Sequence, residues 1–305
     1  MLVLDEGQAL VRFGAGPART AEPAGATGPA RTAGPAGSHG TAGTAELVLV
    51  PPSQAPAGVR FLLGVDADAV AYFGVMGPAG GLGATQMPTP GAAMPAPAAG
   101  VRPAALRQAG PLLGDRDAGL FTHAVALANW HARHTHCPRC GAETVPAPAG
   151  HARRCPVDGS EHFPRIDPAV IMLVTDEADR CLLARNRAWP PHRVSILAGF
   201  VEAGESAEQA VAREVAEETG VEVAEISYLG SQPWPMPQSL MLGFRAVAGN
   251  TDIHVDADEI AEANWYSREE LAAAIASGTI RLPPPVSIAH RIIETWYGSE
   301  LPGSW

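Results

Sequence analysis

Apolar residues recur along this chain with two different periods, and the switches between them divide it into elements. Apolar positions around residues 2–13 predict an early strand, followed by a pair of extended segments at 47–50 and 59–75. The period then lengthens. Leu120, Phe121, Ala124, Val125 and Ala128 recur at core spacing and predict a helix over 117–133. The apolar run 169–174 predicts a strand, and Cys181 reads as a buried strand residue, since a free thiol behaves as a small hydrophobe. Ser206 with Gln209 three residues on is a capping-box start, residues 210–215 are tolerable or good helix formers, and Gly220 is a stop.

Two stretches break the pattern. Residues 14–46 are Gly, Ala, Pro and Thr with almost no large apolar side chain, and Gly16-Pro17-Ala18-Arg19-Thr20-Ala21 recurs as Gly28-Pro29-Ala30-Arg31-Thr32-Ala33. Such composition buries too little surface to offset ordering entropy and predicts a disordered insertion. A second Ala/Gly/Pro/Met stretch at 77–105 interrupts the same N-terminal domain.

The capped helix carries Glu214, Glu217 and Glu218 at i, i+3 and i+4, so the three carboxylates are expected on one face. Each like-charge pair there costs about 0.2–0.5 kcal/mol, and Glu217 and Glu218 also sit at the negative end of the helix dipole. A hard divalent cation such as Mg²⁺ or Mn²⁺ reverses both effects by taking carboxylate oxygens together with substrate phosphate. Without further information, a solvated acidic face is the commoner reading.

The spacing changes that balance. Gly199, five residues, Glu205, seven residues, Arg213-Glu214-Val215, one residue, Glu217-Glu218, one residue, Gly220-Val221 resembles the Nudix box with every position filled. The resemblance implies Glu214 and Glu218 as the main metal ligands, Glu217 as a further ligand or water-activating base, and Arg213 orienting carboxylates through a bidentate pair to Glu205. Downstream, Ser231-Gln232-Pro233-Trp234-Pro235-Met236-Pro237-Gln238-Ser239 alternates prolines around a tryptophan, which excludes a helix or a central strand and predicts a stiff, exposed, extended segment. It resembles the signature of the NADH pyrophosphatase subfamily, with Met236 where phenylalanine is usual. That resemblance implies nucleotide contacts from Phe163, Ala198, Gln232 to Ser239 and Ala289, and a further metal ligand in Glu259. Leu282-Pro283-Pro284-Pro285 resembles the family's C-terminal proline turn and helix.

Upstream, Cys137-Pro138-Arg139-Cys140-Gly141 is half of a zinc knuckle pair, and Cys155 stands where the second should begin. The fourth cysteine is replaced. Asp158 holds its place, and His162 is the nearest better zinc ligand, so a structural Zn²⁺ on Cys137, Cys140, Cys155 and Asp158 or His162 is expected. His131 and His134, which precede Cys137, are expected to pack and hydrogen-bond rather than to ligate.

The fold class expected is mixed α/β (α+β): a Nudix fold, a mixed sheet between helices, over 166–298, preceded by a zinc ribbon at 132–165 and a degenerate N-terminal α/β domain at 1–131, with a tail at 299–305. The resemblance implies hydrolysis of the diphosphate of NADH or NAD⁺ to nicotinamide mononucleotide and AMP with two or three Mg²⁺ or Mn²⁺ ions. It extends to NAD caps at RNA 5′ ends and to a homodimer. Alternatives are a Nudix hydrolase of ADP-ribose or dinucleoside polyphosphates, a non-catalytic NAD sensor, and a zinc-ribbon RNA-binding adaptor. A net charge of −11 argues against broad nucleic-acid binding, and the absence of long apolar runs together with three cysteines at zinc spacing predicts a cytoplasmic protein without a membrane span.

Overall fold

The structure is a computed structural model that describes residues 1–13, 44–77 and 100–302. The chain divides into two compact units, Met1–Pro164 and Arg165–Trp305.

In the first unit, β1 (Leu2–Asp5) and β2 (Gln8–Phe13) form an antiparallel hairpin. The single strand expected over 2–13 is therefore split, because Glu6 and Gly7 both have positive φ, at 46° and 75°, and turn the chain back. β3 (Ala45–Leu47) pairs with the end of β2, and β4 (Val59–Val65) and β5 (Ala71–Met76) form a second hairpin inside the segment expected as one piece. β6 (Val101–Ala105) pairs with β2 and buries Ala104. Both compositional breaks expected from the sequence thus include ladder residues, 45–46 in β3 and 101–105 in β6, while 14–43 and 78–99 lie outside the described residues. After α1 (Leu106–Ala109), α2 (Asp115–Arg133) lays Leu120, Phe121, Ala124, Val125 and Ala128 into the core of this sheet.

The ribbon strands β7 (Val145–Pro146), β8 (Arg153–Arg154) and β9 (Glu161–His162) form a three-stranded sheet. Buried Arg153 donates to Thr144 Oγ1 at 2.7 Å and Thr144 O at 2.6 Å, and its Nη1 lies 3.2 Å from His131 Nδ1. His131 Nε2 in turn reaches Gly150 O at 2.8 Å, so the ring is the tautomer with its proton on Nε2. Burial pushes the His131 pKa down, as the neighbouring Arg153 charge does to a lesser degree.

In the second unit β10 (Asp167–Thr175) is the central strand, followed along the chain by β11 (Cys181–Asn186), β12 (Leu197–Phe200), α3 (Ala207–Thr219), β13 (Val223–Trp234), β14 (Ser239–Ala248), β15 (Ile260–Tyr266), α4 (Arg268–Ala276) and α5 (Ile288–Tyr297). The sheet order is β13-β14-β10-β11-β15, with β12 also pairing β10. It is mixed, since β14 runs parallel to β10 while β11 and β12 run antiparallel to it. Alternation along β10 explains the layering: Val170, Met172 and Val174 face Ala210, Val211 and Val215 of α3, whereas Ile171 and Leu173 face Leu271 of α4 and Ile292, Ile293 and Trp296 of α5. This is the expected mixed sheet between helices.

Candidate active site and zinc centre

α3 begins and ends as its sequence dictates. Ser206 Oγ accepts from Gln209 N at 3.2 Å, Gln209 Oε1 accepts from Ser206 N at 2.8 Å, and Gly220 closes the helix at φ 70°. Val211, Val215 and Glu218 follow one another at spacings of four and three, so Glu218 falls on the core-facing stripe and is only 7% exposed. Glu217 is displaced about 100° around the helix, and its side chain is 61% exposed. The single shared face expected for the three glutamates is therefore divided. Glu214 and Glu218, together with Glu202, Asp258 and Glu259, line a cavity of about 440 Å³; Glu217 is not among its lining residues.

Arg213 organises this cluster. Its Nε and Nη2 pair with the two oxygens of Glu205 at 3.2 and 2.6 Å, Nη1 reaches Glu214 at 2.9 Å and Glu217 at 3.0 Å, and Nη2 also donates to Phe200 O at 2.9 Å. Gly199, paired with Val170, leaves the space that the Glu214 carboxylate fills, since a Cβ there would lie 1.8 Å from Glu214 Cδ. Burial raises the Glu214 pKa. Burial, then the charges of Glu214, Glu259 and Asp256, push Glu218 up to about 8. Its Oε2 is buried without a hydrogen-bond partner. A buried carboxyl that prefers a proton, in an open cavity lined by four more carboxyl side chains, fits a divalent cation, which would take the proton's place.

The prolines of the signature behave as edge residues. β13 is an edge strand of the sheet and carries Pro233 and Trp234, with Pro233 paired to Leu240 and Trp234 to Ser239 across the turn 235–238. The segment is less exposed than the sequence suggests: Pro235 is buried and Trp234 and Met236 are half-buried. Nor do its two glutamines point away from the protein. Gln232 donates to Val286 O at 2.7 Å and accepts from Ile288 N at 2.8 Å, clamping β13 to the start of α5, and Gln238 donates to Asp167 at 2.9 Å. Ala289 lies in the core under α5, 4% exposed, rather than on a cavity wall. Ala198 lines the carboxylate cavity, which none of 231–239 does. Phe163, in the first unit, is 66% exposed. The cavity also takes Asn186, Arg187 and Ala188 from the end of β11, residues with no sequence signal, and Phe200, Glu202 and Asp258, whose signal is adjacency to Gly199 and Glu259.

In the ribbon, two knuckles have matching geometry. Gly141 N donates to Cys137 O at 2.9 Å and Gly159 N to Cys155 O at 3.0 Å, with φ of 75° and 72° at the two glycines. The ligand atoms of Cys137, Cys140, Cys155 and Asp158 all lie within 4.8 Å of one another, with Cys140 Sγ 3.4 Å from Cys155 Sγ. His162 is not part of this group; its Nε2 lies 3.1 Å from Ser160 Oγ. Burial opposes ionisation of the Cys137 thiol, but hydrogen bonds from Ser160 and the Arg139 amide bring it down to about 6. Three sulfurs and one carboxylate oxygen make a four-ligand donor set of the kind that suits structural zinc.

A mixed sheet between helices, with a capped Glu-bearing helix behind a glycine strand end, defines a Nudix-domain protein, and residues 165–284 match the NUDIX domain family. Residues 132–163 match the NADH pyrophosphatase zinc ribbon domain, so the chain carries a Nudix domain preceded by this ribbon. It is 50% identical over 204 residues to the NAD-capped RNA hydrolase NudC of Mycobacterium bovis, covering 64% of this chain and 65% of that one. It is 40% identical over 196 residues to the NAD-capped RNA hydrolase NUDT12 of Homo sapiens, covering 60% of this chain and 42% of that one. The chain thus spans less than two thirds of the length of these curated relatives. A NUDIX hydrolase from Nitrosomonas europaea is 23% identical, covers 54% of this chain and 94% of its own, and superposes with a TM-score of 0.42. Among the described residues no helix is long and apolar enough to cross a membrane.

Proposed function

We propose that the protein hydrolyses the diphosphate of NADH or NAD⁺ to nicotinamide mononucleotide and AMP, and that the same centre removes NAD from RNA 5′ ends. The observation that carries this reading is the buried, unpartnered Glu218 oxygen beside Glu214 and Glu259. Those three glutamates would hold two or three Mg²⁺ or Mn²⁺ ions, which supply water activation and neutralisation of diphosphate charge. Arg213, tied to Glu205 and Phe200 O, fixes Glu214 and Glu217 in place. A glutamate of this cluster, by preference Glu217, which stands outside the cavity lining on the exposed side of α3, accepts the proton of the attacking water, whose oxygen joins one phosphorus as the bridging oxygen leaves with the other.

Strand register supports a dinucleotide rather than a mononucleotide. Phe200 pairs with Ala169, Ala169 with Met241 and Met241 with Gln232, so the box and the signature share one level of the sheet. Three strand spacings separate them, about 14 Å. The names of the curated relatives point the same way. The chain's organisation into an N-terminal domain at 1–131, a ribbon at 132–165 and a Nudix domain at 166–298, a homodimeric state and a cytoplasmic setting belong to the same reading. Incubation with NADH and Mn²⁺ should give nicotinamide mononucleotide and AMP by mass spectrometry. Faster turnover of ADP-ribose than of NADH would reassign the substrate.

A further inference from the structure

The cavity lip continues into a basic strip that the hydrolytic chemistry does not use. Asn186, Arg187 and Ala188 line the cavity, and the next residue, Trp189, donates its amide to Asn186 O at 3.0 Å. The Arg193 guanidinium carbon lies 5.5 Å from the centre of the half-buried Trp189 ring. Arg281 pairs with Arg193 in a parallel bridge, and its amide donates to His192 O at 2.6 Å. Arg193, His192 and Arg281 are all exposed, and among the described residues neither arginine has a carboxylate partner. In a chain of net charge −11, two adjacent unpaired arginines beside an aromatic face are not explained by charge balance.

The loop is also held in one shape. Pro190 and Pro191 stiffen it, and His192 Nδ1 lies 2.9 Å from Thr279 O. An aromatic face flanked by guanidinium groups is the arrangement that binds a single-stranded polynucleotide, phosphates on the arginines and a base on the ring. We infer that this strip, Trp189 with Arg193 and Arg281, receives the first nucleotides of a single-stranded RNA whose capped end occupies the carboxylate cavity. The inference rests on the function proposed above and names the partner of that same site.

The test measures binding apart from turnover. Fluorescence anisotropy of a 3′-labelled, NAD-capped single strand of about ten nucleotides is followed in EDTA across a salt titration, with wild type, Arg193→Ala/Arg281→Ala and Trp189→Ala. Each single-strand phosphate contact contributes about 0.7 to the slope of log K against log salt, so the double variant should lose about 1.4 of that slope and at least tenfold in affinity. Trp189→Ala should weaken binding about fivefold or more through lost stacking, and Trp189→Phe should restore much of it. Hydrolysis of free NADH, measured separately with Mn²⁺, should stay within about twofold of wild type in the arginine variant, because neither arginine belongs to the carboxylate cluster. Unchanged RNA affinity and slope in the double variant would overturn the inference. So would a wild type that binds the capped strand no better than NAD, or displacement by polyglutamate as readily as by RNA. Failure of wild type to hydrolyse NADH would instead count against the catalytic reading, which the binding curves do not depend on.

Discussion

Gly199→Ala separates the geometry of the acidic centre from the stability of the fold. The added Cβ would fall 1.8 Å from Glu214 Cδ and 2.0 and 2.2 Å from its two oxygens, so the carboxylate has to leave its position. The strand has little else to lose: Gly199 stays paired to Val170, and the clashing group is the far end of a flexible side chain. What is given up is the 2.9 Å bond from Arg213 to Glu214, a charge-assisted contact of about 1.5–3 kcal/mol at most, and part of that returns when the side chain finds solvent. Stability should therefore fall by no more than about 2 kcal/mol, a melting shift of several degrees for a unit this size. Turnover should fall much further, by about 10²–10³-fold, as when one preorganised electrostatic group is removed from a reacting centre. NADH hydrolysis with Mn²⁺ and a thermal melt read the two effects side by side. The cycle with Glu214→Gln sharpens the test: if Gly199 acts through Glu214, the double variant is hardly worse than Glu214→Gln alone. Activity within about threefold of wild type, or additive losses in the cycle, would refute the reasoning.

Other perturbations test the remaining parts. Glu218→Gln should remove nearly all turnover while leaving the metal-free melting temperature unchanged or higher, because the fold already favours the uncharged side chain at this site; a fall of many degrees would sink that account. Purified protein should hold about one zinc per chain, lost together with stability in Cys137→Ser and retained in His162→Ala, as read by metal analysis and melting. The depressed His131 pKa means its contribution to stability is complete above about pH 6.5 and is lost as pH falls through the folded value. Urea unfolding at pH 7.5, 6.5 and 5.5 should show that decline in wild type and a shallower one in His131→Gln. Phe13 and Ala45 are direct ladder partners, so replacing residues 14–43 by a short turn should leave melting and NADH hydrolysis nearly unchanged; a large loss of either would contradict the expectation from composition.

The residues that could be read in advance are those whose chemistry is local in sequence. The α3 cap, its glycine stop and the two cysteine knuckles each depend on residues within about five positions of one another, and the sequence pattern is the structural cause. Positions fixed by distant partners were not legible. Nothing near Gln232 announces that its amide will be taken by Val286 and Ile288, 54 and 56 residues away. The fate of Glu218 required the phase of the helix against β10, not only its spacing from Glu214. Residues 101–105 look like a continuation of low-complexity sequence and become a strand because β2 offers them a ladder and a core position for Ala104. His162 is the better zinc ligand by type, yet the turn closed by Gly159 sets Asp158 among the sulfurs instead.

Arg213 has five N–H groups and the structure engages every one of them, four on carboxylate oxygens and one on a carbonyl. The centre's own cation is therefore fully occupied before any substrate arrives. A diphosphate entering this cavity meets five carboxyl side chains, no free guanidinium from α3 and only Arg187 as a cationic lining residue, so on the proposed reading most of its neutralisation falls to ions drawn out of solution. On the reading proposed here, the enzyme's rate is tied to the free concentration of divalent metal around it, and an Arg213→Lys variant, with three donors in place of five, would loosen the carboxylates without freeing a charge for the substrate.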